Sequence, residues 1–246
     1  MENRIALTNE DGTMKSKEEF LDEMTELYDS LSEVDKCHEI SPIYTACTQA
    51  ECQIDPVAAM NTYNFIDKAI TIRDVITDDT AKTVIDQIRF WNAVDLDDNN
   101  PDPIVIYIDS DGGSLTATLS IIGAIRTSRT PVYTVNLGKA YSGGFFILVA
   151  GHKRYALPYS SYMFHEGSTM VGGDAHKVIS SVNFYRRQLE TLRKFVLENT
   201  DITDETYELY KKDDWWLDNA SALKYRVIDE EINDITIFEK DEEEDN

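Results

Sequence analysis

The sequence predicts an α/β fold organised on a largely parallel sheet, and three observations carry that prediction. Ile104-Val105-Ile106-Tyr107-Ile108 is a nearly continuous apolar run, the mark of a strand covered on both faces. It leads through Asp109-Ser110-Asp111-Gly112-Gly113-Ser114, a glycine turn, into a helical pattern carrying Ala117, Ile121, Ile122 and Ile125. Val132-Tyr133-Thr134-Val135-Asn136 then has strand composition again. Strand, turn, helix, strand is a βαβ unit, whose crossover is right-handed and whose strands run parallel.

Length and charge bound the rest. A chain of 246 residues, 42% hydrophobic, is long enough for one large domain with its own core plus appendages. A formal net charge of -23 argues against nucleic acid and against an anionic membrane surface, because phosphates would be repelled. No apolar run reaches the roughly 18 residues of a membrane span. Met1-Glu2-Asn3-Arg4 lacks the basic-then-apolar layout of a signal peptide, so the expected location is cytoplasmic.

Residues 1–60 form an N-terminal extension of different character. Ser16-Lys17-Glu18-Glu19 is a capping-box pattern, and Phe20, Met24, Leu27, Tyr28 and Leu31 then share one face, which predicts an amphipathic helix ending before Cys37. Cys37, Cys47 and Cys52 repeat no short paired spacing, so they read as reduced thiols rather than as a metal site with His38.

The domain proper is expected over 61–236. Ala69–Ile72 and Val75-Ile76 read as strand, followed by Asp78 or Asp79 as cap of a helix with Ala81, Val84, Ile85, Ile88 and Trp91 inward. Asp95–Pro103 is an acidic surface loop. Gly138-Lys139-Ala140-Tyr141-Ser142-Gly143-Gly144 is a small-residue turn, and Phe145–Ala150, apolar all round, is a buried helix that starts near Ser142. Arg154–Ala156 and Tyr162–Phe164 read as short strands, the second followed directly by His165. A long amphipathic helix runs from about Asp174 to Glu198 with Val178, Val182, Tyr185, Leu189, Leu192, Phe195 and Val196 on its apolar side. Thr203 caps a helix through Tyr210, and a small helix lies around Ala220–Leu223. Residues 237–246, ending in the mostly acidic run Glu239–Asn246, are expected to form a disordered tail.

Ser142 has two readings. A serine ahead of a helix is often its N-cap. It is also placed where free N–H groups and the positive end of a helix dipole would stabilise an oxyanion, which suits a nucleophile. The Gly112-Gly113 turn is likewise either a tight turn or a means of aiming the Gly113 N–H into a site; a phosphate cradle is disfavoured by the missing lysine and the two aspartates. His165, at a strand end, has the side chain best suited to proton transfer near neutral pH.

Tyr107–Ser114, Gly138–Gly144, Ala150–Ser160, Met163-Phe164-His165 and Trp216–Asp229, taken in this order, resemble the proteolytic subunit of the Clp protease, ClpP, and its phage-encoded relatives. The resemblance spans roughly Tyr63–Ile235. It implies a crotonase-type α/β fold of repeated ββα units with a long handle helix, assembled as two stacked heptameric rings. It implies a serine endopeptidase that cleaves polypeptides inside the ring chamber, with Ser142 as nucleophile, His165 as general base, Asp214 as the acid that orients the imidazole, and Gly113 and Gly143 as oxyanion-hole donors. Asp213 is the neighbouring alternative to Asp214. No cofactor or metal is expected in this chain, ATP entering only through a partner AAA+ unfoldase. This chain has Asp111 where the family usually has proline, and Glu166-Gly167 where it has Gln-Pro. A silent ring-forming scaffold and a phage head-maturation protease acting without an unfoldase are the alternative functions.

Overall fold

A computed structural model describes residues 67–97, 100–167, 170–235 and 238. The expected amphipathic helix, the three cysteines and Glu239–Asn246 lie outside the described residues.

The elements in order are β1 (Ala69–Ile76), α1 (Asp78–Val94), a short 3₁₀ turn (Asp95–Asp97), β2 (Ile104–Gly113), α2 (Leu115–Thr127), β3 (Val132–Tyr141), α3 (Gly143–Ala150), β4 (Lys153–Ala156), β5 (Ser161–Phe164), α4 (Ala175–Asn199), α5 (Asp204–Tyr210), β6 (Trp215–Asp218), α6 (Asn219–Lys224) and β7 (Glu230–Glu231). The sheet has the order β1-β2-β3-β4-β7, with β5 branching from β3 and β6 pairing with β5. The pairs β2/β3, β3/β4, β3/β5 and β4/β7 are parallel, and β5/β6 is antiparallel.

Strand alternation sorts the core into two faces. Ile104, Ile106 and Ile108, all at 0% exposure, lie on the face of Val132, Thr134 and Asn136. The Thr134 hydroxyl donates to Leu148 O of α3 at 2.8 Å, so this face is the one covered by helix. All eight residues of α3 are buried, which is why that segment is apolar on every side. On the other face Val105, Val135, Tyr155 and Ile232 form a cluster screened by Tyr107, Tyr133, Leu137, Leu157 and Phe238. The continuous apolar run of β2 is thus covered on both sides, by α3 and by aromatic side chains. Phe238, inside the stretch expected to be a disordered tail, packs on Tyr133 and Tyr155 at centroid distances of 5.9 and 4.9 Å.

Three expectations are corrected. The cap of α1 is Thr77, whose hydroxyl accepts from Thr80 N in a reciprocal capping box, and Asp78 and Asp79 occupy the first turn, where their charge suits the dipole. The two stretches read as turns, Asp109–Gly113 and Gly138–Tyr141, are the ends of β2 and β3. Pairing overrides the poor strand propensity of Gly and Asp there. The β2/β3 register passes from Ile108↔Asn136 to Ser110↔Ala140, so β3 carries extra residues that bend it away from β4 toward β5. Asn136 holds the fork: its side-chain amide donates to Ser161 O at 3.0 Å and its side-chain oxygen accepts from Gly138 N at 3.0 Å.

A buried arginine ties the C-terminal part to the sheet. Arg154 donates from Nε (3.0 Å) and Nη2 (2.5 Å) to the Asp229 carboxylate and from Nη1 to Asn199 O (2.7 Å), a carbonyl in the last turn of α4. Its side chain is 5% exposed against 36% for Asp229. Asp229→Asn strands that guanidinium charge in the core and is expected to cost about 3 kcal/mol, the low end for a broken buried pair because Asp229 is partly solvated. Urea unfolding measures it, and a loss within about 0.5 kcal/mol, as at an ordinary surface site, would contradict this role.

Candidate active site

The site is assembled by the register of three strands around β5. The parallel pairing Tyr141↔Met163 places Ser142 one step past the end of β3, and its N–H continues the ladder by donating to Met163 O at 2.8 Å. The antiparallel pairing Phe164↔Trp215 makes His165 and Asp214 the next facing residues beyond the ladder. Three residues far apart in sequence are thereby brought to one corner of the sheet. The Ser142 hydroxyl lies 2.8 Å from His165 Nε2, and His165 Nδ1 lies 3.1 Å from Asp214 Oδ1. Asp213 and Asp214 are both exposed, and the carboxylate at the imidazole is that of Asp214.

Ser142 is the N-cap residue of α3 by position, yet its side chain makes no capping hydrogen bond. The capping reading therefore fails, and the hydroxyl is committed to His165. Its backbone, at φ 49° and ψ -114°, is in a region costly for a residue with a Cβ, on the order of 1–3 kcal/mol. The flanking rings hold the corner. Phe164 and Trp215, neighbours of the imidazole and the carboxylate, lie 6.3 Å apart; Trp215 also stacks on Tyr210 at 4.4 Å and meets Tyr225 at 5.1 Å. Tyr141, next to Ser142, packs edge-on against Trp216 at 5.0 Å.

A cavity of about 510 Å³ opens at this corner, and Gly113, Ser142, Gly143 and His165 all line it. The Gly113 nitrogen is 3.4 Å from where a Cβ on Gly143 would stand, so the two glycine backbones sit side by side above the serine. The remaining wall is apolar at Leu115, Phe146 and Leu192 and polar at Thr118 and Gln188. Beside the cavity Lys139 donates to Asp111 at 2.7 Å; that bond, with further pull from Asp109 and Asp74, raises the ammonium above its ordinary value. Asp111 is therefore ion-paired with a cation on the neighbouring strand.

Sequence reasoning missed Gly112. It sits at φ 94°, and a Cβ there would come within 2.7 Å of Gly143 N, Ser142 Cβ and Tyr141 O. Only a residue without a side chain lets β2 approach the serine this closely. Its only mark in the sequence is its place as the first member of the glycine pair. Gly112→Ala is expected to lower turnover of the folded protein on the order of 10²-fold, as misplacing the reacting groups by an ångström does. Peptide hydrolysis by a variant with a native circular-dichroism spectrum checks this, and parent-level rates would contradict it.

Comparison with known proteins agrees with this geometry. A family model for the Clp protease matches residues 55–234. The ATP-dependent Clp protease proteolytic subunit 2 of Prochlorococcus marinus subsp. pastoris is 31% identical over 174 residues, covering 68% of this chain and 83% of the relative. The ATP-dependent Clp protease proteolytic subunit 3 of Synechococcus sp. is 30% identical over 174 residues, covering 68% and 84%. Among the described residues no helix is long and apolar enough to cross a membrane. A chain whose sheet register joins a serine, a histidine and an aspartate, and which shares most of its length with these subunits, belongs to the Clp protease family of serine peptidases.

Proposed function

We propose that this chain is an endopeptidase that cleaves polypeptides through an acyl-enzyme on Ser142, with His165 as base and Asp214 as its orienting acid. The observation that carries the proposal is the hydrogen-bonded line from Ser142 Oγ through both ring nitrogens of His165 to Asp214. His165 Nε2 takes the Ser142 proton as Oγ bonds to the scissile carbonyl carbon, and the carbonyl π pair moves onto oxygen. The N–H groups of Gly113 and Gly143 receive that oxyanion, a contribution of roughly 2.7–4 kcal/mol per donor in acyl transfer. Collapse expels the amine, which leaves with the proton from His165. Water, deprotonated by the same nitrogen, then releases the acid and restores Ser142.

Ring assembly is part of the proposal. Of the apolar residues on the 25-residue α4, Leu192 and Val196 are buried, whereas Ile179, Val182 and Phe184 are 59, 39 and 52% exposed. Exposed apolar residues along one long helix support packing against further copies of the chain, in stacked heptameric rings whose chamber encloses the sites. The relatives are named for ATP dependence, which supports a partner AAA+ unfoldase as the source of ATP hydrolysis; this chain itself needs no cofactor for the steps above.

The test is hydrolysis of a short fluorogenic peptide together with native mass. Parent protein is expected to run as a double ring and turn over the peptide, and Ser142→Ala to abolish turnover. Asp214→Asn is expected to lower kcat on the order of 10³–10⁴-fold, with Asp213→Asn near the parent value. An assembled parent ring without peptidase activity would make the chain a scaffold instead.

A further inference from the structure

We infer that Tyr185 is a positioning residue for the base: its hydroxyl, by holding the Glu166 carbonyl, fixes the imidazole of His165 on the Ser142 hydroxyl. The inference rests on the Ser-His-Asp reading above and extends it to α4.

His165 stands one residue past the ladder, which ends at Phe164↔Trp215. Strand pairing therefore sets the backbone on one side of the imidazole only. On the other side Glu166 is held at both of its backbone polar groups. Its N–H donates to Lys211 O at 3.3 Å, and its carbonyl accepts from the Tyr185 hydroxyl at 3.3 Å. Lys211 is the C-cap of α5, and the chain runs from there within three residues to Asp214. That restraint ties the base to the segment that carries its acid. Tyr185 comes from α4 and ties the base to the wall of the substrate cavity, which it lines with Gln188 and Leu192.

Gly167 supplies an independent sign that the phenol is seated on this turn. It adopts φ 78°, a left-handed backbone, and a Cβ there would lie 3.4 Å from the Tyr185 hydroxyl. A side chain at this position would press on that oxygen. Burial, with the Glu166 charge behind it, pushes the Tyr185 phenol up, so near neutrality it is a hydroxyl able to donate to a carbonyl. Without this bond the peptide between Glu166 and Gly167 loses its tie to α4, and the turn directly behind the imidazole loosens.

Tyr185→Phe removes one oxygen and keeps the ring that fills the cavity wall. In the full-length protein, kcat for a fluorogenic peptide is expected to fall on the order of tenfold, part of the roughly hundredfold cost of an ångström of misplacement, with KM unchanged. The melting temperature is expected to stay at the parent value. A variant with the parent kcat overturns the assignment. So does one that raises KM at constant kcat, or that loses the fold, since Tyr185 is then only packing. Ser142→Ala measured alongside separates the two levels: residual parent-like turnover in that variant overturns the serine mechanism and this inference together, whereas an inactive Ser142→Ala beside an unaffected Tyr185→Phe overturns this inference alone.

Discussion

The pairing of one four-residue strand, Ser161–Phe164, with a neighbour on each side is the constraint on which the site depends. On one flank it runs parallel to β3 and on the other antiparallel to β6; Ser142 lies just beyond the first ladder, and His165 and Asp214 just beyond the second. Strand side chains alternate faces, so a slip of one residue in either ladder would turn a reacting group to the wrong side. The register is held from within β5. Tyr162 is fully buried and its hydroxyl donates to Asn219 Oδ1 at 2.8 Å; burial keeps that phenol protonated by pushing its pKa up. Phe164, also fully buried, meets Phe145, Phe146, Tyr207 and Trp215. A strand this short is stable in such a place because its side chains are packed on all sides rather than because it makes many ladder bonds.

The strained backbone of Ser142 is the counterpart of that rigidity. A residue with a Cβ at positive φ persists only where its surroundings over-determine it. Here the N–H is fixed by Met163 O, the following helix is wholly buried, and Gly112 leaves room on the remaining side. The consequence is functional: with no capping bond to make, the hydroxyl is free to face the imidazole. Ser110 completes the frame: its buried hydroxyl donates to Asp74 O and accepts from Gly112 N, tying β1 to the glycine pair.

Much of this was legible in the residues. The apolar run at Ile104, the helix through Ile125 and the all-apolar Phe145–Ala150 were each found because burial on every side leaves a plain composition. The ends of β2 and β3 were read as turns because Gly, Asp and Ser favour turns locally, while the pairing partner that makes them strands is distant in sequence. Thr77 and Asp78 are adjacent good caps, and only three-dimensional geometry distinguishes them. Between Asp213 and Asp214 the offset from Leu217 favours Asp214, and the Phe164↔Trp215 register sets Asp214 opposite His165. Tyr185 passed as one more apolar residue of a helical stripe, since its partner is a backbone carbonyl that no sequence pattern marks.

The central claim is that the hydroxyl of Ser142 is activated by the imidazole of His165, and covalent capture tests it most directly. The full-length protein is treated with a fluorophosphonate and the modified residue is located by peptide mass spectrometry, with His165→Ala treated in parallel. The account predicts one adduct, on Ser142, formed by the parent and not by the His165→Ala variant. An adduct on another residue, or equal labelling of Ser142 without His165, would contradict it.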